Sequence, residues 1–300
     1  MKKKTYLFAL MAMVLTLGSC SDNENGIGGE TSKYITVSTS IGNMTRVATD
    51  EKGGQTFEEG DEISVYAWTG DATVAPETSE RVVNNAINKL TNGSWVSTPQ
   101  MLWKNNRDKH YFIGVYPTAA ISDLSAGEYT FDETKQVESD LLVAVNKDGL
   151  SYNVDEQQPV PLTFTHVMAK LAVNLTYKNQ WGGIPTVEKV VVGNAAKEAT
   201  INYLTKVVTP STTAKEDFSL PEITENTKYV SVIIPQEDVK QLTIVIGGKN
   251  FVYDNGTPFK LESGKITTVN LEVGRDEIKL GDVKITNWED GSTFSGEALN

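Results

Sequence analysis

Residues able to do chemistry are few in this chain. Its two histidines, His110 and His166, stand in different halves, and Cys20 is the only cysteine. No HExxH, EF-hand loop or GxSxG nucleophile turn occurs, so no zinc, calcium or serine-hydrolase chemistry has its residues in place. Gly247-Gly248-Lys249 begins like a phosphate loop, but Asn250 follows where Ser or Thr is required. Its place between two apolar runs fits a hairpin turn instead. Glu58-Glu59 and Asp61-Glu62 are carboxylate pairs of the kind that glycoside hydrolysis uses. In so acidic a chain they read first as a solvated loop leading into a strand. Trp68, Trp95, Trp103, Trp181 and Trp288 have the right faces to stack sugars, yet they are scattered, and three adjoin strand patterns. Core or edge packing is their expected role. The sequence therefore predicts a protein that is not an enzyme and that holds no metal or cofactor.

Cys20 does have a chemical setting. Lys2, Lys3 and Lys4 precede an apolar run from Leu7 to Leu17 that is too short to span a bilayer. The run ends Leu17-Gly18-Ser19-Cys20, which resembles the lipobox of bacterial lipoproteins: cleavage before Cys20, then thioether lipidation of its sulfur. Residues 1–19 are thus expected to be a signal peptide. Residues 20–33 are small, polar and acidic, and read as a flexible tether. Their Ser-Asp-Asn-Glu-Asn start resembles the acidic signal that sends some Bacteroidetes lipoproteins to the outer face of the outer membrane. A lone cysteine leaves no intrachain disulfide, so stability must come from packed cores. Loss of the three lysines leaves 24 basic side chains against 39 acidic ones, a net charge of −15. Such a surface argues against nucleic acid and against electrostatic adhesion to membranes. Membrane attachment would come from the acyl chains, at about 0.8 kcal/mol per buried CH₂.

The elements that must position these residues are strands. Pro161 to Tyr177 alternates for longer than any other stretch. Leu162 and Phe164 share one face; after His166 the phase flips, and Val167, Ala169, Leu171, Val173, Leu175 and Tyr177 form the apolar set. Alternation at period two marks a strand. A phase flip marks a bulge or a change of sheet, because a one-residue slip swaps every side chain's face. A structural hydrogen bond at that flip is the expected role of His166. Tyr34–Ile41, Asp61–Trp68, His110–Tyr116 and Leu141–Val145 read as strands in the first half. Val187–Val192, Tyr229–Ile234, Leu242–Ile246, Phe251–Tyr253, Ile266–Val273 and Val283–Trp288 do so in the second. Asn92-Gly93, Gly247-Gly248 and Asn255-Gly256 supply turns. Between the first two strands, Gly42 to Gly60 has no periodicity and contains one arginine, Arg46. Many short strands over 300 residues predict an all-β chain of two sandwich domains in tandem, residues 34–160 and 161–300.

Seven pieces of the chain, in order, resemble the fimbrillin family of Bacteroidales. They are Thr45-Arg46; Phe57-Glu-Glu-Gly-Asp61 running into Ile63–Trp68; Trp103 with Tyr111–Pro117; and Asp140-Leu-Leu-Val-Ala144. Leu162-Thr-Phe-Thr-His166 with Lys170-Leu171, Lys265-Ile-Thr-Thr, and Ile285-Thr-Asn-Trp-Glu-Asp-Gly291 complete the set. The resemblance implies transthyretin-like sandwiches and a pilus subunit exported as a lipoprotein to the outer membrane and cell surface. It also implies cutting by an Arg-specific protease at the position of Arg46, leaving Val47 as the new N-terminus. The strand then lost would carry Ile35, Val37 and Ile41. Uncovering those three costs about 5–9 kcal/mol, and a strand from another subunit would fill the groove. The segment Asp282–Trp288, with Val283, Ile285 and Trp288 as knobs, is the expected donor. Other fimbrillin subunits are the expected partners, in a shaft, anchor or tip role. The alternative is a monomeric surface lipoprotein that binds a host glycan or protein.

Overall fold

The computed structural model describes residues 33–42, 56–153, 158–254 and 256–288. In chain order the first strands are β1 (Val37–Ile41), β2 (Glu62–Thr69), β3 (Val83–Thr91) and β4 (Ser94–Thr98). They are followed by β5 (His110–Tyr116), β6 (Gly127–Thr130), β7 (Leu142–Leu150) and β8 (Val160–His166). Then come β9 (Ala169–Tyr177), β10 (Val187–Ala196), β11 (Glu198–Asn202), β12 (Val207–Pro210) and β13 (Lys215–Ser219). The last are β14 (Glu222–Thr224), β15 (Lys228–Ile233), β16 (Gln241–Ile246), β17 (Lys249–Asp254), β18 (Lys265–Val273) and β19 (Ile278–Asn287). Among the described residues there is no α-helix, only two short 3-10 turns. The chain is all-β, as its alternation predicts.

Strands β1-β8-β7-β5-β2-β3-β4 form a seven-stranded sheet in that order. Because side chains alternate across a strand, each face of this sheet feeds a different core. Ile63, Val65 and Ala67 of β2 join Phe112, Ala144, Leu162 and Phe164 in one core, together with Ile35 and Val37. Tyr66, Trp68, Ile113, Val115 and Val143 point the other way, into a larger core that also takes residues of β9, β10, β16 and β18.

The seven-stranded sheet curls until its two ends meet. The Trp95 indole N–H on β4 donates to Thr39 Oγ1 on β1 at 3.0 Å. The Ile35 amide donates to the Met101 carbonyl at 2.9 Å, and the Trp103 amide to the Lys33 carbonyl at 3.1 Å. The first segment thus closes the curled sheet over the smaller core.

Three further sheets run β13-β10-β16-β17, β12-β11-β6 and β14-β15-β9-β18-β19. The three-stranded one draws β6 from the first half and β11 and β12 from the second. The phase flip at His166 is a change of sheet. β8 pairs with β1 and β7, whereas β9 pairs with β15 and, in parallel, with β18. Ala172 of β9 and Met168 just before it, which alternation puts on the outward face, are buried as well because they too pack into the larger core. Two of the expected turns follow their sequence signals, and Asn255 of the third lies outside the described residues. Asn92 and Gly93 have φ of 51° and 74°, and Gly247 and Gly248 have 58° and 72°, the two left-handed positions of a type I′ hairpin.

Candidate functional site

The first strand is buried where it matters and thinly held elsewhere. Ile35 and Val37 are 2% and 5% exposed, while Ile41 packs half-buried against the same core. β1 lies at the edge of its sheet and pairs only with β8, in parallel, from Val37 opposite Val160 to Ile41 opposite Phe164. The Gly42 amide adds a bond to the Phe164 carbonyl at 2.8 Å, after which the chain turns away at a φ of 70°. Cys20, Arg46 and Val47 lie outside the described residues.

The last strand stands at the opposite extreme of burial. β19 is also an edge strand, bound to β18 alone. Register places Ile278, Leu280, Val283 and Ile285 opposite Val273, Leu271, Val269 and Thr267, all buried. These four residues of β19 therefore form one continuous apolar row on the core-facing side. Yet Leu280, Val283 and Ile285 remain 38%, 39% and 38% exposed. Ile278 and Leu280 extend the row beyond the segment expected from sequence. A bulge at Gly281 shifts the pairing by one residue, which breaks the alternation in Ile-Lys-Leu-Gly-Asp-Val-Lys-Ile and hides its first half.

Trp288, just past β19, behaves differently. It is 4% exposed, its amide donates to the Gly264 carbonyl at 3.0 Å, and its ring lies flat on His166. His166, also 4% exposed, directs Nδ1 to Asp140 Oδ1 at 2.8 Å. The Lys170 ammonium sits 4.1 Å from the Trp288 ring centroid, within cation–π range. Burial pushes the Lys170 ammonium's pKa down, and the neighbouring Asp140 carboxylate opposes that shift. Three separate pieces of the sequence pattern, around Asp140, His166–Lys170 and Trp288, thus converge on one cluster. The expected hydrogen bond of His166 is present, with Asp140 as its partner.

The other chemistry-bearing residues have structural work. Glu59 accepts the Asn92 amide at 2.7 Å, Asp61 accepts the Glu58 amide at 2.7 Å, and Glu62 pairs with Lys89 at 3.0 Å. Glu59 thus ties the loop to the β3–β4 turn, Asp61 closes the loop on itself, and Glu62 links β2 to β3. His110 is fully buried; its Nε2 accepts the Lys104 amide at 3.1 Å, and its Nδ1 faces the Asp108 carbonyl at 3.1 Å. Lys249 starts β17 in a hairpin with β16. The tryptophans do not share a surface: Trp95 and Trp103 pack on the smaller core, and Trp68, Trp181 and Trp288 on the larger.

A shallow cleft of about 650 Å³ is lined by Thr69, Arg81, Trp103 and Lys104 among others. Its cations are engaged. Arg81 donates to the Ile121 and Ser122 carbonyls at 2.6 and 2.5 Å, and Lys104 to Thr69 Oγ1 at 3.2 Å. Among the described residues, no group of three His, Cys, Asp or Glu side chains could hold a metal ion.

These features define a strand-built protein whose distinctive surfaces are its terminal strands at sheet edges. A family model described as fimbrillin-like matches residues 45–288, and the chain belongs to that family. A curated relative from Bacteroides uniformis, named "Putative fimbrium subunit Fim1C", is 25% identical, with 97% of each chain covered. Among solved structures, two described as a "putative cell adhesion protein", from Bacteroides uniformis and Bacteroides ovatus, superpose with TM-scores of 0.63 and 0.62. Each is 18% identical and covers 85% of this chain and 98% of its own. A fimbrial protein from Bacteroides vulgatus follows at a TM-score of 0.52 and 12% identity, over 84% of this chain and 99% of that one. At these identities the likeness is one of fold.

Proposed function

We propose that this chain is a structural subunit of a cell-surface fimbria, joined to other subunits by exchange of a strand. The observation that carries the reading is the asymmetry between the two terminal strands. Val37 of β1 and Ile35 just before it are buried members of the smaller core. Ile35 and Val37 alone contribute about 3–6 kcal/mol at 1.5–3 kcal/mol per buried aliphatic side chain, a large part of a domain's net stability of about 5–15 kcal/mol. β19 carries an apolar row of which Leu280, Val283 and Ile285 stay more than one-third exposed. A groove that needs a strand and a strand that needs a groove are the two halves of strand addition.

In this reading the chain is exported as a lipoprotein, held in the outer membrane through lipid on Cys20, and cut by an Arg-specific protease between Arg46 and Val47. β1 leaves with Ile35, Val37 and Ile41. A neighbouring subunit supplies Val283, Ile285 and Trp288. We read the division into two sandwich domains at the change of sheet between β8 and β9, a few residues past the expected 160/161 boundary, because β8 pairs with β1 and β7. Family membership and the Fim1C relative support the fimbrial role.

The test uses the chain from Ser21, treated with an Arg-specific protease and run unboiled on a denaturing gel beside an Arg46→Ala control. A ladder in the wild type alone is the expected result, because non-covalent strand-exchanged polymers dissociate slowly. A single trimmed monomer would overturn the reading in favour of a monomeric lipoprotein that binds host glycan or protein.

A further inference from the structure

We infer that Asp140, His166 and Lys170 form a socket that latches Trp288 and so keeps β19 on its own subunit until assembly begins. The inference rests on the strand-exchange reading and concerns its control. A donor strand that is free too early pairs with whatever open edge it meets. β19 is poorly protected from that fate along most of its length. One side has no strand partner, and three residues of its apolar row are more than one-third exposed. Its far end is the exception.

The side chains that grip the Trp288 ring do not come from the strand that β19 pairs with. Asp140 precedes β7, His166 ends β8, and Lys170 lies near the start of β9. β19 is therefore attached at two independent places: by a ladder to β18, and by an indole to the crossover between two sheets. Stacking on an aromatic ring, a cation over the indole, and a carboxylate fixing the imidazole all act on one side chain. Departure of the indole uncovers the Lys170 ammonium and the His166 ring, a polar, partly buried socket. The ladder can therefore loosen strand by strand, but departure of β19 requires the indole to come out.

The arrangement predicts that loosening the socket frees β19 without changing the donor sequence. The measurement is amide hydrogen exchange by mass spectrometry on the uncut chain from Ser21. Lys170→Met removes the cation while keeping an unbranched side chain. Exchange in residues 279–287 is expected to rise about tenfold, in line with the loss of one desolvated cation–π contact, with β5 and β16 unchanged. Trp288→Ala should give a larger rise over the same segment, and Trp288→Phe should restore most of the protection. Unchanged exchange at 279–287 in both Lys170→Met and Trp288→Ala would overturn the latch. A rise spread over β5 and β16 would also overturn it, since that marks general unfolding.

After Arg-specific cleavage, Lys170→Met should form the ladder about tenfold faster than wild type. An equal or slower rate would show that the socket does not restrain assembly. If the wild type forms no ladder, strand exchange itself fails, while the exchange data still decide whether the socket holds β19.

Discussion

The indole of Trp288 lies on the imidazole of His166 with 4.1 Å between ring centroids and 8° between planes. His166 in turn has Nδ1 2.8 Å from the Asp140 carboxylate. Removing the imidazole by His166→Ala would leave a void under the indole and an unpaired acceptor at Asp140. Loss of a buried ring and of a charged hydrogen bond should cost about 2–4 kcal/mol. Urea unfolding would measure it; a loss below about 0.5 kcal/mol would show that the stack is incidental.

Gly114 sits in the middle of β5, where glycine is otherwise unfavourable. A Cβ there would come within 2.6 Å of Phe164 Cζ and 3.1 Å of Leu162 Cδ1. Phe164 cannot easily yield, because its ring packs edge-on to Phe57 at 5.1 Å. Gly114→Val should therefore destabilise by about 1–3 kcal/mol or more through overpacking. The same substitution combined with Phe164→Leu should recover part of the loss, which a thermal melt of both variants would show.

His110 offers a pH test. Burial lowers its pKa, outweighing the favourable Asp108 interactions, so the folded state holds the neutral ring. The unfolded state takes up the proton near pH 6.5. Stability from this group is therefore complete above about pH 6.5 and falls as pH drops toward the lowered folded pKa. His110→Gln should be less stable than wild type by about 1–3 kcal/mol at pH 7.5, and that gap should narrow by pH 5.5. A gap that widens on acidification would show the ring to be charged in the fold.

The strand-exchange reading can be tested without the protease. A chain starting at Val47 should bind a synthetic peptide spanning Ile278–Trp288, and the chain starting at Ser21 should not. The peptide with Val283→Asp and Ile285→Asp should bind at least about 100-fold more weakly, since each apolar knob is worth about 1.5–3 kcal/mol. Fluorescence anisotropy would report both. Equal binding by the two chain lengths would exclude the β1 groove as the site.

Much of the fold was legible because alternation survives wherever a strand has one wet face. β2, β5 and β18 follow their patterns to within a residue or two. β6 and β11–β14 were not legible, because they are only three to five residues long and too short to show a period. The apolar row of β19 was read from Val283 onward only, since the bulge at Gly281 interrupts its period. The Trp288 socket left a weaker trace. Asp140, His166–Lys170 and Trp288 stood in three separate runs, and only strand pairing that links β7 to β8 and β9 through β18 to β19 brings them together. No periodicity within a single strand encodes that meeting.

The pairing of β1 with β8 has a consequence in time. Ser40 and Thr163, bonded at 3.2 Å, are 123 residues apart in the chain. Contacts so distant in sequence close late, because the intervening chain must be ordered first. The opening strand must therefore wait unpaired until the chain between it and its partner is ordered. It is among the last pieces to find its place, and in the proposed life of the molecule it is the first to leave.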